Sequence, residues 1–147
     1  MIRTLMLAGC MMALAGTVAA VADSDPIVDR KELMKANGKA TKDVGGMLKG
    51  DVKFDLATVQ AALKVYVETA TKAPALFPET SKTGHDTEAL PAIWTNKPDF
   101  EAKFVQFGKD ATAAMTSITD EASFKGNIGP VLKNCGACHE TYRLKKS

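Results

Sequence analysis

Cys135-Gly136-Ala137-Cys138-His139, close to the C-terminus, sets two thiols and an imidazole within five consecutive residues. This spacing joins a c-type haem to a chain. Each thiol adds across a porphyrin vinyl group, and the histidine after the second thiol is placed to offer a ring nitrogen to the iron. Other uses of such a pair need company that this chain lacks. Zinc takes four ligands, and beyond the motif there are only His85, in a proline-rich stretch, and carboxylates. A thioredoxin-type pair calls for a βαβ context, which no stretch of the sequence has. One covalently attached haem c is therefore the expected cofactor.

Residues 1–22 have the anatomy of a secretory signal. Arg3 supplies a positive start, Leu5 to Val18 is apolar and small, and Ala20-Val21-Ala22 forms an A-x-A cleavage pattern ahead of Asp23-Ser24-Asp25. The apolar run is too short, and too rich in Ala, Gly and Met, to read as a membrane span. A soluble periplasmic protein is expected, with residues 23–147 forming one domain. Leu7-Ala8-Gly9-Cys10 also resembles a lipoprotein signal that would make Cys10 a lipid anchor, although few apolar residues precede it. Once the signal is removed only Cys135 and Cys138 remain, both committed to haem, so no disulfide framework is available. With 19 Lys and Arg against 17 Asp and Glu, the formal charge of +2 points neither to nucleic acid nor to an acidic partner.

The rest of the chain has helical periodicity in four segments and no sustained alternation. The first helix is expected from Pro26 to Lys49, after Asp25 as N-cap. Its inward stripe reads Ile27, Arg30, Met34, Thr41, Val44 and Leu48, polar and glycine-rich for a core face. Such a face suits a bulky flat ligand better than a neighbouring helix. A second helix is expected from Asp55 to Lys72, with Leu56, Val59, Leu63, Tyr66 and Ala70 inward. A long loop punctuated by Pro74, Pro78, Gly84, Pro91 and Pro98 follows, and so long a connection is more often functional than idle. Pro98 opens a third helix to about Ile118, with Phe100, Phe104, Phe107, Ala111, Met115 and Ile118 on one face. The fourth is expected from Asp120 to Leu144, kinked at Pro130, with Phe124, Ile128, Leu132, Cys135, Cys138, His139 and Tyr142 in step. The fold class is all-α. An antiparallel up-and-down four-helix bundle with the haem held on the C-terminal helix is the economical arrangement.

With Arg30-Lys31-Glu32-Leu33-Met34 in the first helix, Thr87-Glu88 and Ala92-Ile93-Trp94 in the long loop, and the haem motif near the end, the chain resembles the class II cytochromes c, the family of cytochrome c′. The resemblance implies that Cys135 and Cys138 hold the haem by thioethers and that His139 is the proximal iron ligand. It implies that Arg30 reaches a propionate, that Lys31 also approaches the haem, and that Thr87 and Glu88 touch its edge from the loop. A solvated face is the alternative for Arg30, Thr87 and Glu88. Arg143, one turn after His139, either covers the proximal imidazole or, with Lys145 and Lys146, answers the helix C-terminus.

In this family the residue four positions after the first-helix arginine faces the distal side of the iron, and here it is Met34. A thioether ligand favours ferrous iron and makes a six-coordinate, low-spin haem, as an electron carrier for periplasmic redox proteins requires. If Met34 only packs against that face, the iron is five-coordinate and high-spin and binds NO or CO. Met47, Met115 and His85 are the remaining candidates for the sixth position, each less well placed than Met34. Leu33-Met34-Lys35 with Asn37-Gly38 resembles the low-spin branch. No distal histidine or acid is evident for enzymatic proton transfer. Without a decisive exposed apolar patch, a monomer is favoured over a homodimer.

Overall fold

The computed structural model describes residues 24–145; the expected export signal and Cys10 lie outside the described residues. The helices are α1 (Pro26–Lys49), α2 (Leu56–Lys72), a short α3 (Ala92–Thr95), α4 (Lys97–Ser117) and α5 (Glu121–Tyr142). Two 3-10 turns, Ala73–Leu76 and Glu79–Ser81, follow α2.

Local chemistry sets the helix ends. An Asp25 carboxylate oxygen accepts from the Ile27 amide at 2.7 Å, and Pro26 occupies the first turn, where its missing N–H has no helical partner to lose. Gly50 closes α1 in the left-handed region (φ 82°), and the amides of Gly50 and Asp51 return to the carbonyls of Met47 and Gly46. Asp55 caps α2 by accepting from the Thr58 amide at 2.6 Å. Asp120 and Ser123 form a reciprocal capping box at the start of α5.

The helices pack in the order α1, α2, α4, α5, each against the next, as an up-and-down four-helix bundle. The core has two parts. The larger joins Val44, Leu63, Tyr66, Ala111, Phe124 and Ile128 of the long helices. The smaller gathers Ala73, Phe77, Ile93, Phe100, Phe104 and Tyr142, from the loop, α4 and the end of α5. Along the remaining seam, residues of α1 and α5 face a cavity.

Three sequence expectations need correction. Leu48 is exposed and Met47 takes its place in the core, because Met47 follows Ala40 and Val44 by seven and three residues and so shares their buried face. Val131 is the fully buried residue of its turn, with Leu132 only partly buried against the core. The last helix ends at Tyr142, not Leu144, because the tail leaves to pair with the long loop: Leu90 N–H donates to the Tyr142 carbonyl at 3.0 Å and Leu144 N–H to the Glu88 carbonyl at 2.8 Å. This antiparallel Ala89 to Arg143 bridge is the β pairing found among the described residues. Meanwhile α5 stays helical through Pro130, which has no N–H to return to Gly126.

Candidate haem site

The cavity between α1 and α5 has a volume of about 630 Å³, within the range of small-molecule and cofactor sites. The last turns of α5 present Cys135, Cys138, His139 and Tyr142 to it, in keeping with their three- and four-residue spacing. Both cysteines are free thiols and partly buried. Burial pushes the Cys138 thiol up to about 11 and raises Cys135 as well. Burial, helped by the nearby Arg143 charge and opposed by Glu88, holds the His139 imidazole below its ordinary value. Its neutral form, the one with a lone pair to offer a metal, is thereby favoured.

The α1 wall carries Arg30, Lys31, Met34, Lys35, Asn37, Gly38 and Thr41. Met34 is the one methionine lining the cavity among the described residues: Met47 is buried in the larger core and Met115 packs against its rim. His85 does not line it either; its Nε2 lies 3.1 Å from an Asp25 carboxylate oxygen, on an exposed turn in which His85 and Asp86 have positive φ. The aromatic floor is braced by edge contacts of Phe100 with Phe77, Phe104 and Tyr142 at centroid distances of 4.7, 5.2 and 5.2 Å. Tyr142 donates to an Asp99 carboxylate oxygen at 2.6 Å, and burial together with that carboxylate holds its phenol up at about 12.

Arg30 lines the cavity at 4% exposure, but its guanidinium is turned to the long loop. Nη1 donates to the Leu76 carbonyl and the Ser81 hydroxyl at 2.9 and 2.7 Å. Nη2 donates to the Ser81 carbonyl and the Thr87 hydroxyl, both at 2.8 Å. The guanidinium carbon also sits 4.5 Å from the centroid of the Phe77 ring. Thr87 is therefore engaged behind the rim, while its neighbours Asp86 and Glu88 line the cavity. Lys31 reaches the His85 carbonyl at 2.7 Å. Glu88 accepts from Nε and Nη2 of Arg143, both at 2.7 Å, which places that arginine at the loop and not over the helix end alone.

These residues fit a covalent haem. Two free thiols and a histidine share one wall, the floor is aromatic, and four cationic side chains besides Arg30 line the rim, opposite in sign to propionates. A Cβ built on Gly38 would meet nothing within 4 Å, so this part of α1 leaves room for a flat ligand. Among the described residues no three His, Cys, Asp or Glu side chains cluster as a bare metal ion would need. Cys135, Cys138 and His139 would hold the haem, with Met34 available from the α1 wall.

A family model described as Cytochrome C′ matches residues 25–143. The chain belongs to the cytochrome c′ family. It is 51% identical over 132 residues to a cytochrome c′ of Rhodopseudomonas palustris, covering 90% of each chain. It is also 36% identical over 151 residues to a cytochrome c-556 of the same organism, covering 99% of each. The solved structure of R. palustris cytochrome c′ superposes with a TM-score of 0.82 at 50% identity, covering 85% of this chain and 100% of that one. As a cytochrome c′ family member, the protein is a c-type cytochrome with one covalently bound haem.

Several residues of this cytochrome's cavity escape sequence reading. Asn37 and Thr69 are buried in its wall and hydrogen-bonded to each other across α1 and α2. Asn37 lies three residues after Met34, on the stripe already marked by Arg30 and Thr41, so periodicity pointed to it while its polarity concealed it. Asn134, just before the haem motif, donates to an Asp110 carboxylate oxygen on α4 at 2.8 Å. Nothing local to Asn134 announces that partner.

Proposed function

We propose that this cytochrome carries single electrons between redox proteins of the periplasm, with His139 and Met34 as the axial ligands of its haem. When bound, the haem iron supplies a one-electron ferric/ferrous couple. Around it, His139 offers a neutral nitrogen and Met34 a soft thioether that favours the ferrous state and raises the potential. Both side chains sit on long capped helices of one packed bundle, so little rearrangement need accompany a change of charge. Phe77, Phe100, Phe104 and Phe107 line the slot with apolar surface against which a porphyrin face can pack. The observation that carries the reading is that Met34, of the described methionines, lines the cavity shared with His139. Export by residues 1–22 and a monomeric state belong to the same proposal. Consistent with it, no helix among the described residues is long and apolar enough to cross a membrane.

A second reading has Met34 walling an open distal face where NO or CO binds, and it is favoured by the 51% identical relative being named a cytochrome c′. Visible spectra of the purified oxidised and reduced protein decide between the two. A low-spin ferric spectrum that Met34→Leu converts to high spin is expected. A high-spin ferric spectrum indifferent to Met34→Leu would sink the electron-carrier reading.

A further inference from the structure

We propose that the hydrogen bond from the Asn37 side-chain amide to the Thr69 hydroxyl is a positioning latch. It holds Met34 toward the iron and so sets how readily an outside diatomic ligand displaces it. The inference rests on Met34 being the distal ligand. Asn37 is 8% exposed and Thr69 1%, and both line the haem cavity beside Met34. Asn37 follows Met34 by three residues, so the two share a helix face. Its amide leans back along the helix and also donates to the Leu33 carbonyl at 2.8 Å, one residue before Met34. The Asn37 amide is thus at the level of Met34's own turn, and from there it reaches across to α2.

The flanking contacts restrict α1 further. One turn onward, the Thr41 hydroxyl lies 3.0 Å from the Tyr66 hydroxyl of α2. One turn before Met34, Arg30 is tied to the long loop. Arg30, Asn37 and Thr41, which step along α1 with Met34, are therefore each bonded to a neighbouring element, whereas Lys35 beside them pairs with Glu32 of α1 itself. Burying an amide and a hydroxyl costs free energy unless they pair, and two small apolar residues would join these helices without that cost. What the pair adds is a defined register of α1 on α2 beside the ligand. When carbon monoxide binds ferrous iron here, the thioether leaves, the carbon takes its place, and no electron is transferred. That exchange is easier if α1 is free to lean away from the cavity.

The test uses the holoprotein and carbon monoxide. Thr69→Val removes the acceptor with little change of shape, and is expected to raise ferrous CO affinity roughly 3- to 10-fold, the worth of one net hydrogen bond. Thr69→Ser keeps the hydroxyl and should restore the original affinity. Asn37→Ala removes the donor and should act like Thr69→Val, which keeps the test alive if one variant fails to fold. In a Met34→Leu background there is no sulfur to displace, so Thr69→Val should leave CO affinity unchanged. A Thr69→Val protein that only melts earlier, with CO affinity intact, would overturn the latch. So would an equal effect of Thr69→Val with and without Met34. If Met34→Leu itself changes neither the ferric spectrum nor CO affinity, the ligation reading falls and the latch with it. A response to Met34→Leu with none to Thr69→Val removes the latch alone.

Discussion

Arg30 and Thr87, 57 residues apart in the chain, are joined by a 2.8 Å hydrogen bond from Nη2 to Oγ1. The same guanidinium holds Ser81 and the Leu76 carbonyl, so one α1 side chain gathers three points of the loop that rims the haem cavity. A buried cation satisfied by neutral oxygens makes its contribution by ordering that loop. Burial lowers the pKa of Arg30, but an arginine remains charged across the working pH range.

Arg30→Leu should therefore destabilise the holoprotein by about 2–4 kcal/mol, because buried carbonyls lose their donors. Urea unfolding followed by haem absorbance measures it. Arg30→Lys should recover little, since one ammonium cannot serve four acceptors in a planar fork.

Two glycines of α1 should respond in opposite ways. A Cβ on either Gly38 or Gly45 would meet nothing within 4 Å, but only Gly38 lines the cavity. Gly45→Ala should stabilise by up to about 1 kcal/mol, the helix preference for alanine over glycine. Gly38→Phe should place a ring in the haem slot and lower the haem content of purified protein, read from the alkaline pyridine haemochrome spectrum.

The N-cap aspartates predict acid sensitivity. Asp25, Asp55 and Asp120 all have pKa values below the ordinary 3.8, with hydrogen bonds to Ile27, Thr58 and Ser123 as the leading causes. A carboxylate whose folded pKa is depressed contributes stability that is complete above its unfolded value and is lost as pH falls through the folded one. The melting temperature should hold above about pH 5 and decline below about pH 4. Replacing all three by Asn, which keeps an acceptor but does not titrate, should flatten that decline.

The Arg143 to Glu88 pair joins the tail to the loop at the surface, with the arginine side chain 47% exposed. Arg143→Gln should cost about 0.2–1 kcal/mol at low salt. The difference from the parent protein should disappear in high salt, where exposed charges are screened. Melting curves across a sodium chloride series test both parts.

Much of this molecule was legible before folding was considered, because the controlling interactions are short in sequence. The start of α1 follows from Asp25 and Pro26, each acting within a turn of its own position. The stripe from Phe100 to Ile118 fixes which side of α4 is buried, since a helix returns to one face every three or four residues. The haem motif is five residues long and carries its chemistry within itself. The same logic faltered at Leu144, where the long loop pairs with the tail and draws it out of the helix.

Residue order alone therefore accounts for the four long helices, most of their inward faces and a covalent haem on the last of them. Tertiary structure decided which sulfur lines the cavity with His139, and it gave Arg30 to the loop. It also paired Asn37 with Thr69 across two helices. The reason is distance along the chain. Helix ends and stripes depend on neighbours within a turn or so, whereas the contents of a cavity depend on how whole helices meet, and each such contact closes a loop of 30 residues or more.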